Sequence, residues 1–437
     1  MKKLVKILLK SIYYLFPQFL RHQYVESIIF YRSCFAKILS QEKKIENERF
    51  KIFNVKLVTE PDLLDINFEL LAHTTERCAK VSAPILYVDN QECKRSALEG
   101  KLPDTKVVRL NEVYVLGSTD AIIVDNKMYH HELSLMSSIH DLKRPDIFSK
   151  NNDNDSDYWV SSCSKKNTVE GVAISLLKEH SINYYHWMTE VMPKLVEIIQ
   201  VLKEKEYNIS ILVEENMPTQ SVGIIDLLLA DIKTIEYSII TVKKGELVFC
   251  EHLIYCTPLW VSLDNTRYLP NPKKEFFVSV ESLEKVKEKI TQAKKINNVV
   301  LKNRKIYLQR ENSKLRKITN ILEVERLLYK YGFDFVDPGS LDFEEQYNLF
   351  SQADIIIGAS GAAFTNLLFM KDNSKAISLY PSAQSTNYYV FQPLADVSNV
   401  ELIHFLTTPN DRSNSVHGDS LINIQDLDKL LDEKMKR

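Results

Sequence analysis

The chain has no CxxC pair: its six cysteines (Cys34, Cys78, Cys93, Cys163, Cys250 and Cys256) are scattered through 437 residues. That argues against a disulfide scaffold or a zinc site and fits reduced thiols in a cytosolic protein. A formal net charge of −2 offers no basic field to a nucleic acid, so a dedicated nucleic-acid binder is not expected. Neither G-x-G-x-x-G nor G-x-x-x-x-G-K-[ST] occurs, which removes the dinucleotide and P-loop fingerprints. The apolar run between Lys10 and Pro17 is too short to span a bilayer, and no small-residue cleavage site follows it. No internal repeat is present.

What remains is a globular composition, 45% hydrophobic and 26% charged, on a chain long enough for two domains plus extensions. Residues 1–49 read as a helical segment. Lysines 2, 3, 6 and 10 mixed with Leu, Ile, Tyr and Phe suit either an amphipathic helix on an anionic membrane surface, through residues 1–20, or a first helix with a solvated basic face. Residues 50–295 read as an α/β domain with a mixed β insertion, closed by a long charged bridging helix over about Lys273–Lys295. Residues 296–437 read as a second α/β domain, in which strands at Lys305–Arg310, Phe333–Val336, Asp354–Gly358 and Ala376–Tyr380 alternate with helices at Ile321–Tyr331, Phe343–Gln352 and Ala362–Phe369. This alternation predicts a parallel sheet.

Three clusters carry chemistry. The run Ile355-Ile356-Ile357-Gly358-Ala359-Ser360-Gly361-Ala362 is a strand ending in a small-residue turn before a helix. Such a turn lets backbone N–H groups approach a phosphate or diphosphate, although many such turns are only tight corners. Arg310 ends a neighbouring strand and Arg316 follows it. Ligands of open α/β sheets sit at the carboxyl ends of strands, so these side chains can share an edge with the turn and neutralise a leaving diphosphate. In Asn183-Tyr184-Tyr185-His186-Trp187-Met188-Thr189-Glu190, His186 and Glu190 share a helix face. They suit a general base and its orienting partner, or a merely exposed pair. Asp153, Asp155 and Asp157 form a DxDxD run that can hold a divalent cation, but an Asn/Asp/Ser loop produces such runs by composition and no metal site is expected. His130-His131 and Tyr388-Tyr389 have no partner legible in the sequence.

Together these segments resemble glycosyltransferase family 61. The matching parts are Asn183–Trp187 with Glu190 and Pro193, Ile306–Arg310, Arg316 with Asn320, Gly332-Phe333, Phe343 with Glu345-Gln346, and Asp354–Phe369. The resemblance covers about Gly171–Pro381. It implies an α/β, GT-B-like fold, with two Rossmann-like domains facing across a cleft and the nucleotide-sugar held mainly by the second. It also implies inverting transfer to a glycan or lipid-linked acceptor, in bacterial capsule-type polysaccharide synthesis at the cytoplasmic face of the membrane, with no required metal or cofactor. His186 or Glu190 would be the base; Arg310, Arg316, Asn320, Gln346, Ser360, Gly361, Ala362 and Asn366 would bind the donor. The chain departs from the family pattern at Ser360 (usually His), Ile321 (commonly Glu) and near Ser378 (commonly Glu). Those departures keep one rival open, a catalytically silent scaffold in the same assembly; a second rival is another phosphate-handling α/β enzyme, such as a sugar-phosphate transferase.

Overall fold

The computed structural model describes residues 51–59, 68–75, 77–135, 147–150, 157–162, 166–262, 276–294, 304–310, 316–383, 386–410 and 417–436. The amphipathic segment 1–49, Cys34, Cys163, Asp153 and Asp155 lie outside them, as does the side chain of Asp157. Among the described residues the architecture is mixed α/β, built on two large sheets of eleven and eight strands. Among the described residues, no helix is long and apolar enough to cross a membrane.

In the larger sheet, Leu247–Cys256, Lys166–Ser175, Tyr207–Glu214 and Ile235–Val242 run parallel, in that spatial order. The strand Thr105–Leu116 joins antiparallel to Leu247–Cys256. Its largely alternating in-out burial and its Val/Leu content show why it holds one register against that strand from Val107 to Leu116. Helices Met192–Leu202 and Thr219–Leu229 connect the parallel strands, and their apolar faces fill the main core.

The smaller sheet carries the alternation legible in the sequence. Its strands Asp334–Val336, Arg304–Leu308, Ala353–Ala359, Lys375–Pro381 and Glu401–Pro409 are parallel and adjacent in that order. From Arg304–Leu308 the chain steps to one side, and it then returns to the other side to form Ala353–Ala359. The order therefore reverses between these two strands, and a crevice opens beyond their carboxyl ends. Beyond Glu401–Pro409 the sheet takes in a hairpin from far upstream, Ile85–Val88 with Gln91–Lys94.

Two sequence expectations change. The bridging helix begins later: Phe276–Val278 is a strand paired with Trp260–Ser262, and the helix is Val280–Ala293, capped by the Ser279 side chain. An aromatic, β-branched run buries better as a strand, and serine stops it by accepting the N–H of Ser282. The segment Ala362–Phe369 is wound as a 3-10 helix. The helix Val280–Ala293 packs against Met192–Leu202, Thr219–Leu229 and Gln392–Val397, so one apolar core joins elements of both sheets.

Candidate active site

His186 and Glu190 stand where an α-helix is deliberately irregular. Asn183 caps Tyr184–His186 by accepting the Tyr185 N–H. The chain then widens into a π-turn over Trp187–Val191, with Met192 N–H bonded to Trp187 O, before Met192–Leu202 resumes the α form. Pro193 explains the location: with no N–H, it cannot donate to the carbonyl of Thr189, and the ladder slips by one residue. Trp187, Met188, Thr189 and Glu190 are all buried.

His186 Nδ1 lies 2.9 Å from Glu190 Oε1. The exposed-pair reading is thereby corrected, because the Glu190 side chain is 1% exposed while His186 keeps 26% of its surface. The second Glu190 oxygen, Oε2, is 3.0 Å from the Lys178 ammonium, which is also buried and lies 2.9 Å from Glu132. Burial alone would raise the Glu190 pKa, but Lys178 and His186 overcome it and hold it at about 2. For Lys178, burial opposes the charge, yet Glu132 and Glu190 hold it well above the ordinary lysine range. Glu190 is thus an ionised, enclosed acceptor, and His186 is the member of the pair with a face toward solvent.

His130-His131, partnerless in the sequence, belong to the same buried region. His130 Nε2 is 2.9 Å from Glu179 and 3.4 Å from Asp120. These three residues place ligand-type atoms within 4.8 Å of one another. Although burial opposes the charge, Glu179 and Asp120 raise the ring pKa to about 9, so Nε2 presents a proton, not a lone pair, to those carboxylates. The arrangement is a hydrogen-bonded ion cluster. Lys194 completes it, lying over the rings of Tyr255 and Trp260, with Lys178 also over Trp260.

On the smaller sheet, Arg310 and Arg316 both donate to the carbonyl of Ser360, at 3.1 and 2.6 Å. Arg316 adopts a left-handed backbone (φ 58°), and its guanidinium also contacts His417 Nδ1 at 3.0 Å. A Cβ on residue 361 would lie 3.2 Å from the Arg310 guanidinium, which is why glycine fits there. Burial and the neighbouring Arg316 lower the Arg310 pKa, outweighing the opposite pull of Asp337. A cavity of about 250 Å³ opens at this edge, lined by Gln309, Arg310, Arg316, Lys317 and Ile321 among others. It lies at the order reversal of the sheet, where a diphosphate would be expected.

The other expected donor residues separate. Asn366 and Gln346 are buried and bonded to each other at 2.9 Å, and Tyr184 donates to Asn366 Oδ1 at 2.9 Å. They tie the His186 helix to the segment that follows the Ser360 turn. Ala362 is half-buried at the start of that segment and packs against the main core. Asn320 is bound at both ends of its amide to the backbone of Ile422, at 2.8 and 3.0 Å, so it latches the chain rather than lining the cavity. Lys178 and Glu132 gave no signal in the sequence: an isolated charge reads as surface unless the fold supplies a partner.

Comparison with known proteins now has a geometry to rest on. Over 104 residues the chain is 33% identical to the EGF domain-specific O-linked N-acetylglucosamine transferase of Gallus gallus, a stretch that covers 24% of this chain. The match spans only 17% of that relative's length. The Glycosyltransferase 61 family model matches residues 184–377, the segment that holds His186, Glu190, both arginines and the Ser360 turn. Over residues 184–377, then, the chain is similar to glycosyltransferase family 61.

Proposed function

We propose that the protein is an inverting glycosyltransferase of GT-B-like organisation that moves a sugar from a nucleotide-sugar to a hydroxyl of a glycan or lipid-linked acceptor. The observation that carries this is a pair of half-sites, a part-exposed His186 backed by Glu190 and two guanidinium groups on the Ser360 carbonyl, linked through the hydrogen bond of Tyr184 to Asn366. The ionised Glu190 accepts from Nδ1–H, which leaves the Nε2 lone pair as base. Nε2 takes the acceptor hydroxyl proton, the oxygen forms a bond to the anomeric carbon, and the bond from that carbon to the diphosphate breaks. The electron pair leaves with the diphosphate, whose charge Arg310 and Arg316 stabilise without a metal. Since Glu190 is enclosed, the choice of base between the two falls on His186.

The acceptor we assign is a cell-surface polysaccharide or its lipid-linked precursor, reached from the cytoplasmic side with residues 1–20 on the membrane. The departures at Ser360, Ile321 and Ser378 favour one second reading, a silent member that binds in the assembly without turnover. One experiment addresses both: calorimetry and product analysis of the full chain against a nucleotide-sugar panel, with and without EDTA. Binding of one donor that resists EDTA, vanishes in Arg310→Ala, and turns over in wild type but not in His186→Ala is the expected result. Binding without turnover gives the silent reading, and phosphate travelling with the sugar gives a sugar-phosphate transferase.

A further inference from the structure

The buried ionisable groups behind His186 form a line, Glu132, Lys178, Glu190, then the His186 ring. Burial, Glu179 and Asp120 raise the Glu132 pKa against the pull of Lys178, whereas Glu190 is held low. Glu132 Oε1 to Lys178 Nζ is 2.9 Å, Lys178 Nζ to Glu190 Oε2 is 3.0 Å, and Glu190 Oε1 to His186 Nδ1 is 2.9 Å. The first three side chains are at most 3% exposed, and only the ring reaches solvent. This line spans three separate pieces of chain: the helix His131–Leu135, the loop after Lys166–Ser175, and the π-turn.

A buried carboxylate with a histidine as its sole cation recruits a proton onto that ring. The result is an imidazolium–carboxylate pair, stable but useless as a base, because Nε2 is already occupied. A fixed ammonium on the far oxygen removes the need. We infer that Lys178 is a positioning residue that neutralises Glu190 from behind and so keeps His186 uncharged, with its Nε2 lone pair available, while Glu132 tempers the strength of that ammonium. The inference rests on His186 being the base of the proposed transfer.

Other groups face this line. Glu179 and His180 flank Lys178 in its loop, and the His180 ring lies 5.5 Å from that of His186. Asp120, His130 and His131 lie on the side of Glu132 and Lys178, and Lys194 approaches from the following helix turn. Tyr185 packs on His186 at 5.4 Å, with Tyr380 beyond it. Burial lowers the Lys194 pKa, so it is a weaker source of positive charge than Lys178. None of these others contacts Glu190 Oε2 as an ammonium does, and Lys178 alone among the described residues forms an ion pair there.

The test is a proton titration that needs no substrate. In the full chain carrying ¹³C-labelled histidine, the His186 signal is assigned by its loss in His186→Gln and its pKa is read from chemical shift. Lys178→Met is expected to raise the His186 pKa by about one unit or more. Lys178→Arg, which keeps the charge, is expected to return it to within about a third of that shift. Glu132→Gln moves it the other way, downward, and serves where Lys178→Met does not fold by circular dichroism. The acid limb of kcat against pH should shift with the His186 pKa in each variant. A His186 pKa unchanged in folded Lys178→Met, or unchanged in Glu132→Gln, overturns the inference. If the pKa moves as expected but wild type turns over no nucleotide-sugar, the electrostatic role of Lys178 stands and the transferase reading fails.

Discussion

Glu190 has one oxygen on His186 and the other facing Lys178, and nothing else in the site has that geometry. Its charge, more than its size, is therefore what the site uses. Glu190→Gln keeps the volume and tests the charge alone. We expect kcat to fall about 10²- to 10⁴-fold with donor affinity nearly unchanged, because the ring loses the tautomer that frees Nε2. The same change leaves Lys178 with Glu132 as its one close carboxylate in a dry interior, so a loss of about 3 kcal/mol in stability is expected from thermal or denaturant unfolding. Donor affinity falling as far as kcat would show that Glu190 contacts the donor instead. At this scale the sequence was informative where partners are local: His186 and Glu190 are four residues apart and were legible as a pair. Lys178 and Glu132 are forty-six residues apart, and no spacing rule joins them.

At the scale of the element, two irregularities hold the site in place. The π-turn is the first. Pro193→Ala restores a donor toward Thr189 O, which lets Trp187–Val191 rewind as a regular α-helix and turns His186 relative to the buried helix behind it. Stability should be equal or higher, while kcat falls on the order of 10²-fold through misplacement of the base. Unchanged kcat with a rewound helix would mean that the π-turn is incidental. The second is Gly358, where a Cβ would lie 2.8 Å from the Leu308 Cβ and 3.1 Å from its carbonyl oxygen. Gly358→Ala forces apart the two strands whose ends carry Arg310 and Ser360. Overpacking of about 1–3 kcal/mol is expected, together with weaker donor binding measured by calorimetry. The second α/β unit was legible because its elements are short and apolar in period, and some are bounded by their own caps. Helix Phe343–Ser351, for example, starts on an Asp342–Glu345 capping box. The hairpin Ile85–Lys94 was not legible as part of that sheet. It pairs with Ile403–Phe405, more than three hundred residues downstream, and strand pairing at that distance leaves no local pattern.

Across the whole molecule, the buried histidines make stability depend on pH from both sides. His131 donates Nε2–H to the Trp260 carbonyl, and His404 lies among Tyr380 and Tyr388; burial lowers both pKa values to about 4. A histidine held neutral in this way contributes stability above its unfolded pKa near 6.5 and loses it as pH falls toward 4. Glu190, held at about 2, adds a second acid loss between roughly 4.5 and 2. His130 has the opposite sign. Burial opposes its charge, but Glu179 and Asp120 raise it to about 9, so its contribution is complete below about 6.5 and disappears as pH rises through 9. Each of these groups is worth on the order of 3 kcal/mol over its full window. The melting temperature should therefore peak near pH 6.5 and fall on both sides, more steeply below because two histidines act there. Calorimetric melts from pH 4.5 to 9 check this. His130→Gln separates the limbs: it should lower stability at pH 6.5, leave the acid slope intact and flatten the alkaline one. An alkaline limb that survives the substitution would show that Asp120 and Glu179 do not hold a proton on His130, and the buried cluster would then balance its charge in another way.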